Sequence, residues 1–279
     1  MVSQDRAEKE YVLQAAKDAD VKFIRLWFPD ILGHLKGFAI NVDDLEDALN
    51  EGVGFDGSSI EGFARFQESD MRAFPDPNTF ALLPWRPSQN AVARMFCDVR
   101  RPKGEIFTGD PRAALKRNIE KVAKLGYTYY VGTELEFFLL KNSQSPEFLD
   151  NGGYFDQLSS QPASDLRRDT VLNLAEMGVP VKYSHHEAAP SQHEIDLQYT
   201  DSLAMADSIM TAKLVIKELA QLSGAYGSFM PKPATGINGS GMHVHQSLFQ
   251  GDKNAFYDDE DEHYLSETGK KFIAGLLHH

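Results

Sequence analysis

The chain has 279 residues, room for two domains and a sizeable core. Its 28 Lys+Arg against 41 Asp+Glu give a net charge of −13, which argues against nucleic acid or an anionic membrane as a general partner. A lone cysteine excludes an intrachain disulfide and fits a reducing compartment. The polar amino terminus lacks a signal stretch, and no run approaches the ~18 apolar residues of a membrane span. A soluble, cytoplasmic protein is expected.

Val21–Phe28 has strand character, Pro29-Asp30 turns it, and Lys36–Ile40 is the expected hairpin partner. Asn41 or Asp43 can cap a short helix through Leu45 and Leu49. Gly52-Val53-Gly54-Phe55-Asp56-Gly57 matches a dinucleotide fingerprint, but a helix precedes it where a strand is required, so it reads as a polar loop. Asp56 there is either a turn residue making an Asx-type bond or a presented side chain. Val92–Val99 is the next strand, with Cys97 expected buried in it. Residues 100–104 read as a linker, and the domain boundary is expected near residues 104–110. Asp110-Pro111 opens a helix as cap and first residue. Helices are expected over 112–125, 165–177 and 202–223, each ending before a glycine, with strands over 127–140, 179–184, 194–199 and 242–248. Residues 258–262, all acidic, read as a solvated loop. Ser266 can cap a last helix through Leu277, where the chain stops without a terminator; either it is truncated in mid-helix or the final histidines are a tag, and truncation is the expectation.

Three clusters carry chemistry. Glu134 and Glu136 stand two apart on a strand, so both carboxylates leave one face; His243 and His245 do likewise. Glu187 and Glu194 are seven apart, which one regular strand would place on opposite faces, but Pro190-Ser191 allows a turn that re-aims the second. Alone, a Glu-x-Glu is usually a solvated face, and a His-x-His is structural or a zinc site. The apolar context favours convergence, and four carboxylates with an imidazole would suit Mg²⁺ or Mn²⁺. Spacing alone leaves both readings open. The glycine-rich 235–241 stretch could let backbone approach a ligand, yet it lacks a P-loop lysine.

Six stretches together resemble the type I glutamine synthetases, ATP-dependent ligases that join ammonia to glutamate. They are residues 55–62 (FDGSSIEG), 134–138 (ELEFF), 152–155 (GGYF), 185–194 (HHE through QHE), 229–233 (FMPKP) and 238–243 (NGSGMH). They follow the family order, and the resemblance as a whole runs from near residue 10 to residue 279. The resemblance implies an α+β fold: a small β-grasp-like domain, residues 1–105, then an incomplete catalytic domain, residues 106–279, built as an antiparallel half-barrel sheet with helices.

The resemblance also implies roles. Glu136, Glu187 and Glu194 would bind one divalent ion, and Glu134 and His243 another, as Mg²⁺ or Mn²⁺. Asn238, Gly239 and His243 would contact L-glutamate, while His245 and Ser247 would line the ATP site. Asp56 would hold ammonium and take its proton, beside Ser59 and Tyr154. Arg65 would serve feedback regulation. The implied assembly is a homo-dodecamer of two hexameric rings in which the amino-terminal domain lends its Asp56 loop to a neighbouring subunit. Lys182, Ser191 and Thr133 depart from the usual family residues, and the family's later glutamate, flap and phosphate-binding arginines would lie beyond residue 279. A γ-glutamyl ligase for polyamines and a non-catalytic oligomer of the same fold are the rivals; the intact Asp56-Gly57-Ser58-Ser59 loop favours ammonia.

Overall fold

The computed structural model describes residues 2–60, 70–157 and 161–279. By compactness the chain divides into two units, the first running to Arg117 and taking in Glu176–Gly178, the second holding the rest.

In the first unit, helix α1 (Val2–Asp18) precedes strands β1 (Val21–Pro29) and β2 (Leu35–Asn41). A 3-10 turn (Val42–Asp44) leads into α2 (Leu45–Glu51); Asn41 caps the turn without a side-chain bond, and Asp43, the other expected cap, lies inside the turn while Asp44 takes the α2 cap position, also without a side-chain bond. Strands β3 (Val53–Asp56), β4 (Asp70–Pro75), β5 (Ala81–Leu82) and β6 (Ala91–Arg100) follow. The sheet runs β2-β1-β6-β4-β3, with β5 on β6; β1 and β6 are parallel, the other pairs antiparallel. The Val53–Asp56 segment, expected as loop, is therefore a strand. Its ladder partner is β4, whose arginine and proline hide its alternation in the sequence. Helix α1 is equally hidden, because on a largely charged helix it is Val12 and Ala16 that enter the core with Ile24, Leu26, Leu45, Ala93, Met95 and Cys97. Burial pushes the Cys97 thiol well up, as expected of an inert strand residue.

Helix α3 (Pro111–Lys124) opens at Asp110, whose Oδ1 accepts from the Arg112 amide at 2.9 Å. The buried Arg112 guanidinium bridges Asp98 (2.6 Å) and Asp76 (2.7 Å), and Lys116 joins Asp98. These bonds fasten the first half of α3 to the first unit, which is why that unit extends past residues 104–110.

The second unit holds β7 (Thr128–Leu140), α4 (Gln161–Glu176), β8 (Val181–His186), β9 (Gln192–Asp201), α5 (Ser202–Leu222), β10 (Tyr226–Ser228), β11 (Met242–Gln250), β12 (Lys253–Asn254) and α6 (Glu267–His278). The three expected helix stops are glycines at positive φ, Gly126 (85°), Gly178 (74°) and Gly224 (72°). Its antiparallel sheet runs β12-β11-β7-β9-β8, with β10 also on β7. One face of β7 and β9 buries Leu135, Phe137 and Ile195. Near Gly132 the β7–β9 register shifts: Val131 pairs with Thr200 but Thr133 with Leu197, leaving an extra residue in β9. No helix among the described residues is long and apolar enough to cross a membrane.

Candidate metal centre

Register builds the centre. Glu134 on β7 lies opposite His243 on β11 and Asp196 on β9, and Asp196 lies opposite Tyr183 on β8. One row along, Glu136 pairs with Glu194, which pairs with His185. Directly opposed residues share a face, so one polar row crosses four strands and a second, beside it, crosses three. The strand parity read for Glu134 with Glu136 and for His243 with His245 holds. The Glu187–Glu194 expectation holds too: β8 ends at His186, Ser191 turns the chain at φ 57°, and β9 begins at Gln192.

Both histidines of β11 close on Glu134, His243 Nδ1 at 2.8 Å from Oε2 and His245 Nε2 at 2.6 Å from Oε1. Potential ligand atoms of Glu134, Glu194 and His243 lie within 4.8 Å of one another, and so do those of His185, Glu187 and Glu194. Glu194 thus belongs to both groups. Glu136 Oε2 accepts from the Gln192 amide at 2.9 Å, and the same nitrogen donates to the Gly239 carbonyl at 2.9 Å. A Cβ at Gly241 would stand 3.3 Å from Glu136 Oε1 and 3.5 Å from His243 Nε2, so that glycine keeps open the space both groups face. At Gly239 a Cβ would collide with the Pro231 carbonyl at 2.5 Å.

The electrostatics call for a cation. Burial, then Asp196, Glu136, Glu187 and Glu134, push Glu194 up to about 8. Tyr183, hydrogen-bonded to Asp196 and surrounded by carboxylates, is pushed up to about 12. The bonds to His245 and His243 hold Glu134 below the ordinary range, and Glu134 in turn raises His243. Glu187 Oε2 and Asp196 Oδ1 are buried without a hydrogen-bond partner. Orphaned oxygens, crowded carboxylates and an imidazole fit hard divalent ions of the Mg²⁺ or Mn²⁺ type. Glu194 is largely protonated at neutral pH, and coordination must displace that proton. Mn²⁺ affinity is therefore expected to rise with pH, up to tenfold per unit, and to level above about pH 8, measured by calorimetry between about pH 6 and about pH 9. A flat profile would remove Glu194 from the ligand set.

Other candidates lie apart from these rows. Tyr154 is exposed in the turn after Gly153, stacked on Phe155 (4.0 Å) and edge-on to His185 (5.4 Å). Asn238 is exposed in the loop before β11, and Ser247 is half-buried opposite Tyr130. Asp56 and Ser59 belong to the first unit. Asp56 makes the Asx-type bond, Oδ1 accepting from the Ser58 amide at 2.8 Å, and its bonds to Ser58 hold it below the usual carboxylate range. Arg65 lies outside the described residues. Sequence reasoning missed Tyr183, His185, Gln192 and Asp196. The last two were within reach, since Gln192, Glu194 and Asp196 repeat the two-residue spacing that singled out Glu134 and Glu136.

An amino-terminal unit with a mixed sheet, followed by an antiparallel sheet with carboxylates and imidazoles gathered on one face, defines a two-domain protein with a candidate metal site. Residues 20–102 match the glutamine synthetase β-Grasp domain and residues 108–279 the glutamine synthetase catalytic domain. The chain belongs to the glutamine synthetase family. It is 51% identical over 278 residues to a glutamine synthetase of Mycolicibacterium smegmatis, covering 98% of this chain and 62% of that protein. A Methanosarcina mazei glutamine synthetase is 51% identical over 275 residues, covering 97% and 62%. The Plasmodium falciparum glutamine synthetase, solved by cryo-EM, superposes with a TM-score of 0.88 at 26% identity, covering 99% of this chain and 60% of that one. The chain thus spans less than two thirds of its relatives' length.

Proposed function

We propose that the chain is the amino-terminal and metal-binding portion of an enzyme that ligates ammonia to the γ-carboxylate of L-glutamate at the expense of ATP. The observation that carries this reading is the convergence of Glu134, Glu136, Glu187, Glu194 and His243 on one sheet face. Glu136, Glu187 and Glu194 would hold one Mg²⁺ or Mn²⁺, and Glu134 with His243 another. Bound there, the ions would cancel the repulsion between glutamate's γ-carboxylate and the terminal phosphate of ATP.

The γ-carboxylate attacks that phosphate, giving γ-glutamyl phosphate and ADP; ammonia then displaces phosphate to give glutamine. Ammonium has no lone pair, so a carboxylate must attract it and accept a proton. Asp56 takes that role, with Ser59 beside it and Tyr154 shaping the pocket. Asn238, Gly239 and His243 orient glutamate, and His245 and Ser247 line the nucleotide site. His245 also fixes the Glu134 carboxylate. Arg65 is assigned to feedback regulation by resemblance to the family. The β-grasp domain, ending near residue 105, lends its Asp56 loop to a neighbouring subunit in a cytoplasmic dodecamer of two six-membered rings.

The test is phosphate release and glutamine formation from ATP, glutamate and Mg²⁺ or Mn²⁺, comparing ammonium with polyamines. It is run on the chain alone and on the chain extended by the remaining third of a relative. The extended protein is expected to make glutamine from ammonium. Turnover with polyamines and none with ammonium would replace the acceptor assignment.

A further inference from the structure

Behind the carboxylate face lies a second polar cluster that the proposed chemistry does not use. His186 and His193 are opposed on β8 and β9, and their rings meet edge to face at 4.8 Å. Both are buried, as is Asp150, which precedes the Gly152-Gly153-Tyr154-Phe155 turn. His186 Nε2 stands 2.9 Å from Asp150 Oδ1, and its Nδ1 stands 2.7 Å from the Glu187 carbonyl oxygen. Each ring nitrogen faces an oxygen, so both edges of the ring are engaged.

The backbone of His186 is used as well. Its carbonyl accepts from the Phe155 amide at 3.1 Å and faces His185 Nδ1 at 3.0 Å. Asp150 Oδ1 also accepts from the Gly152 amide (3.1 Å) and the Ser191 amide (2.9 Å). A Cβ at Gly152 would come within 2.7 Å of His186 Nε2, so the loop lies directly on the imidazole.

Ligand-type atoms of Asp150, His186 and His193 lie within 4.8 Å of one another, the spacing of a metal site. The hydrogen bonds argue otherwise. Both nitrogens of His186 are engaged, and His193 Nδ1 accepts from Arg167 at 2.7 Å, which leaves the proton on Nε2 where a cation would need a lone pair.

We propose that His186 is a positioning residue that ties two parts of the active site together: the loop that presents Tyr154, and the turn that aims Glu187. The loop tie runs through Nε2 and Asp150; the ligand tie runs through Nδ1 and the Glu187 carbonyl. The second tie rests on the reading of Glu187 as a metal ligand, while the first does not. Outer partners of this kind typically change metal affinity by about 10–100-fold when lost.

The two ties can be cut separately in the 279-residue chain. An asparagine amide can stand in for Nδ1–H, and a glutamine amide for Nε2–H. His186→Gln is expected to weaken Mn²⁺ binding about 10–100-fold and to leave hydrogen exchange at the Gly152 and Phe155 amides near wild type. His186→Asn is expected to speed that exchange about tenfold or more with Mn²⁺ affinity near wild type. Asp150→Ala, which removes the Oδ1 acceptor itself, should repeat the His186→Asn pattern at the Phe155 amide, and decides the matter if the His186 variants do not fold. A purely structural histidine would lower the melting temperature in every variant without this split, and that result would overturn the proposal. So would unchanged exchange at the Phe155 amide in Asp150→Ala, or a stoichiometric metal in the wild type that Asp150→Ala loses. Absence of Mn²⁺ binding to the wild type would instead sink the metal reading, with the exchange arm still deciding the loop tie.

Discussion

Replacing Asp56 with asparagine in the extended enzyme is expected to lower glutamine formation by about 10²–10⁴-fold, the usual cost of losing a general base. Asp56 ends β3 and accepts from the Ser58 amide through Oδ1. Asparagine retains that acceptor, so the turn persists and the change isolates charge and basicity. Ser58 holds the Asp56 carboxylate below its ordinary range, so it is ionised at every pH near neutrality and can attract ammonium. ATP binding should stay near wild type while turnover at limiting ammonium collapses. Wild-type turnover at low ammonium would show that another group takes the proton.

The second large effect is expected at Glu136. Glu136→Ala should weaken Mn²⁺ binding by more than about 100-fold, beyond the range seen for outer-shell losses, while the metal-free chain stays folded. The Gln192 amide loses one acceptor but keeps the Gly239 carbonyl. Against that small loss stands relief of repulsion, because Glu136 is one of the carboxylates that raise Glu194 to about 8. The direction follows from linkage. A carboxyl raised in the folded state destabilises it progressively as pH climbs from the ordinary carboxylate range to about 8. Removing Glu136 lowers Glu194 toward its ordinary value, so the metal-free variant should melt at an equal or higher temperature near and above neutrality, with the difference vanishing in acid. Calorimetric titration and melting across pH check both halves. Unchanged Mn²⁺ affinity would remove Glu136 from the site.

Where a segment's burial pattern matches its local chemistry, the sequence was legible. Val21–Pro29, Ala91–Arg100 and Thr128–Leu140 are long, β-branched or aromatic, and bounded by turn residues, and all are strands. The Asp110-Pro111 helix start and the three glycine stops are local backbone chemistry, readable without tertiary context. Strand β4 and helix α1 were not legible, because partners distant in sequence decide their burial. The centre divides in the same way. Parity along one strand placed Glu134 with Glu136, but the opposition of Asp196 to Glu134 is a fact of register between strands. The Asp150–His186 tie joins positions 36 residues apart through a loop, which no periodicity encodes.

The register shift in β9 has a bearing on which changes of length this family member could survive. Beyond Leu197 the strand already accommodates one surplus residue, so an insertion or deletion near Gln198–Tyr199 can be taken up there, before α5 is reached. A change of one residue between Gln192 and Asp196 has no such outlet. It would rotate Glu194 and Asp196 to the side occupied by Leu135 and Phe137, burying charge among apolar side chains and emptying the opposite face of its acids. Tolerance to indels in this strand should therefore end abruptly at Leu197, a boundary set by counting rather than by composition.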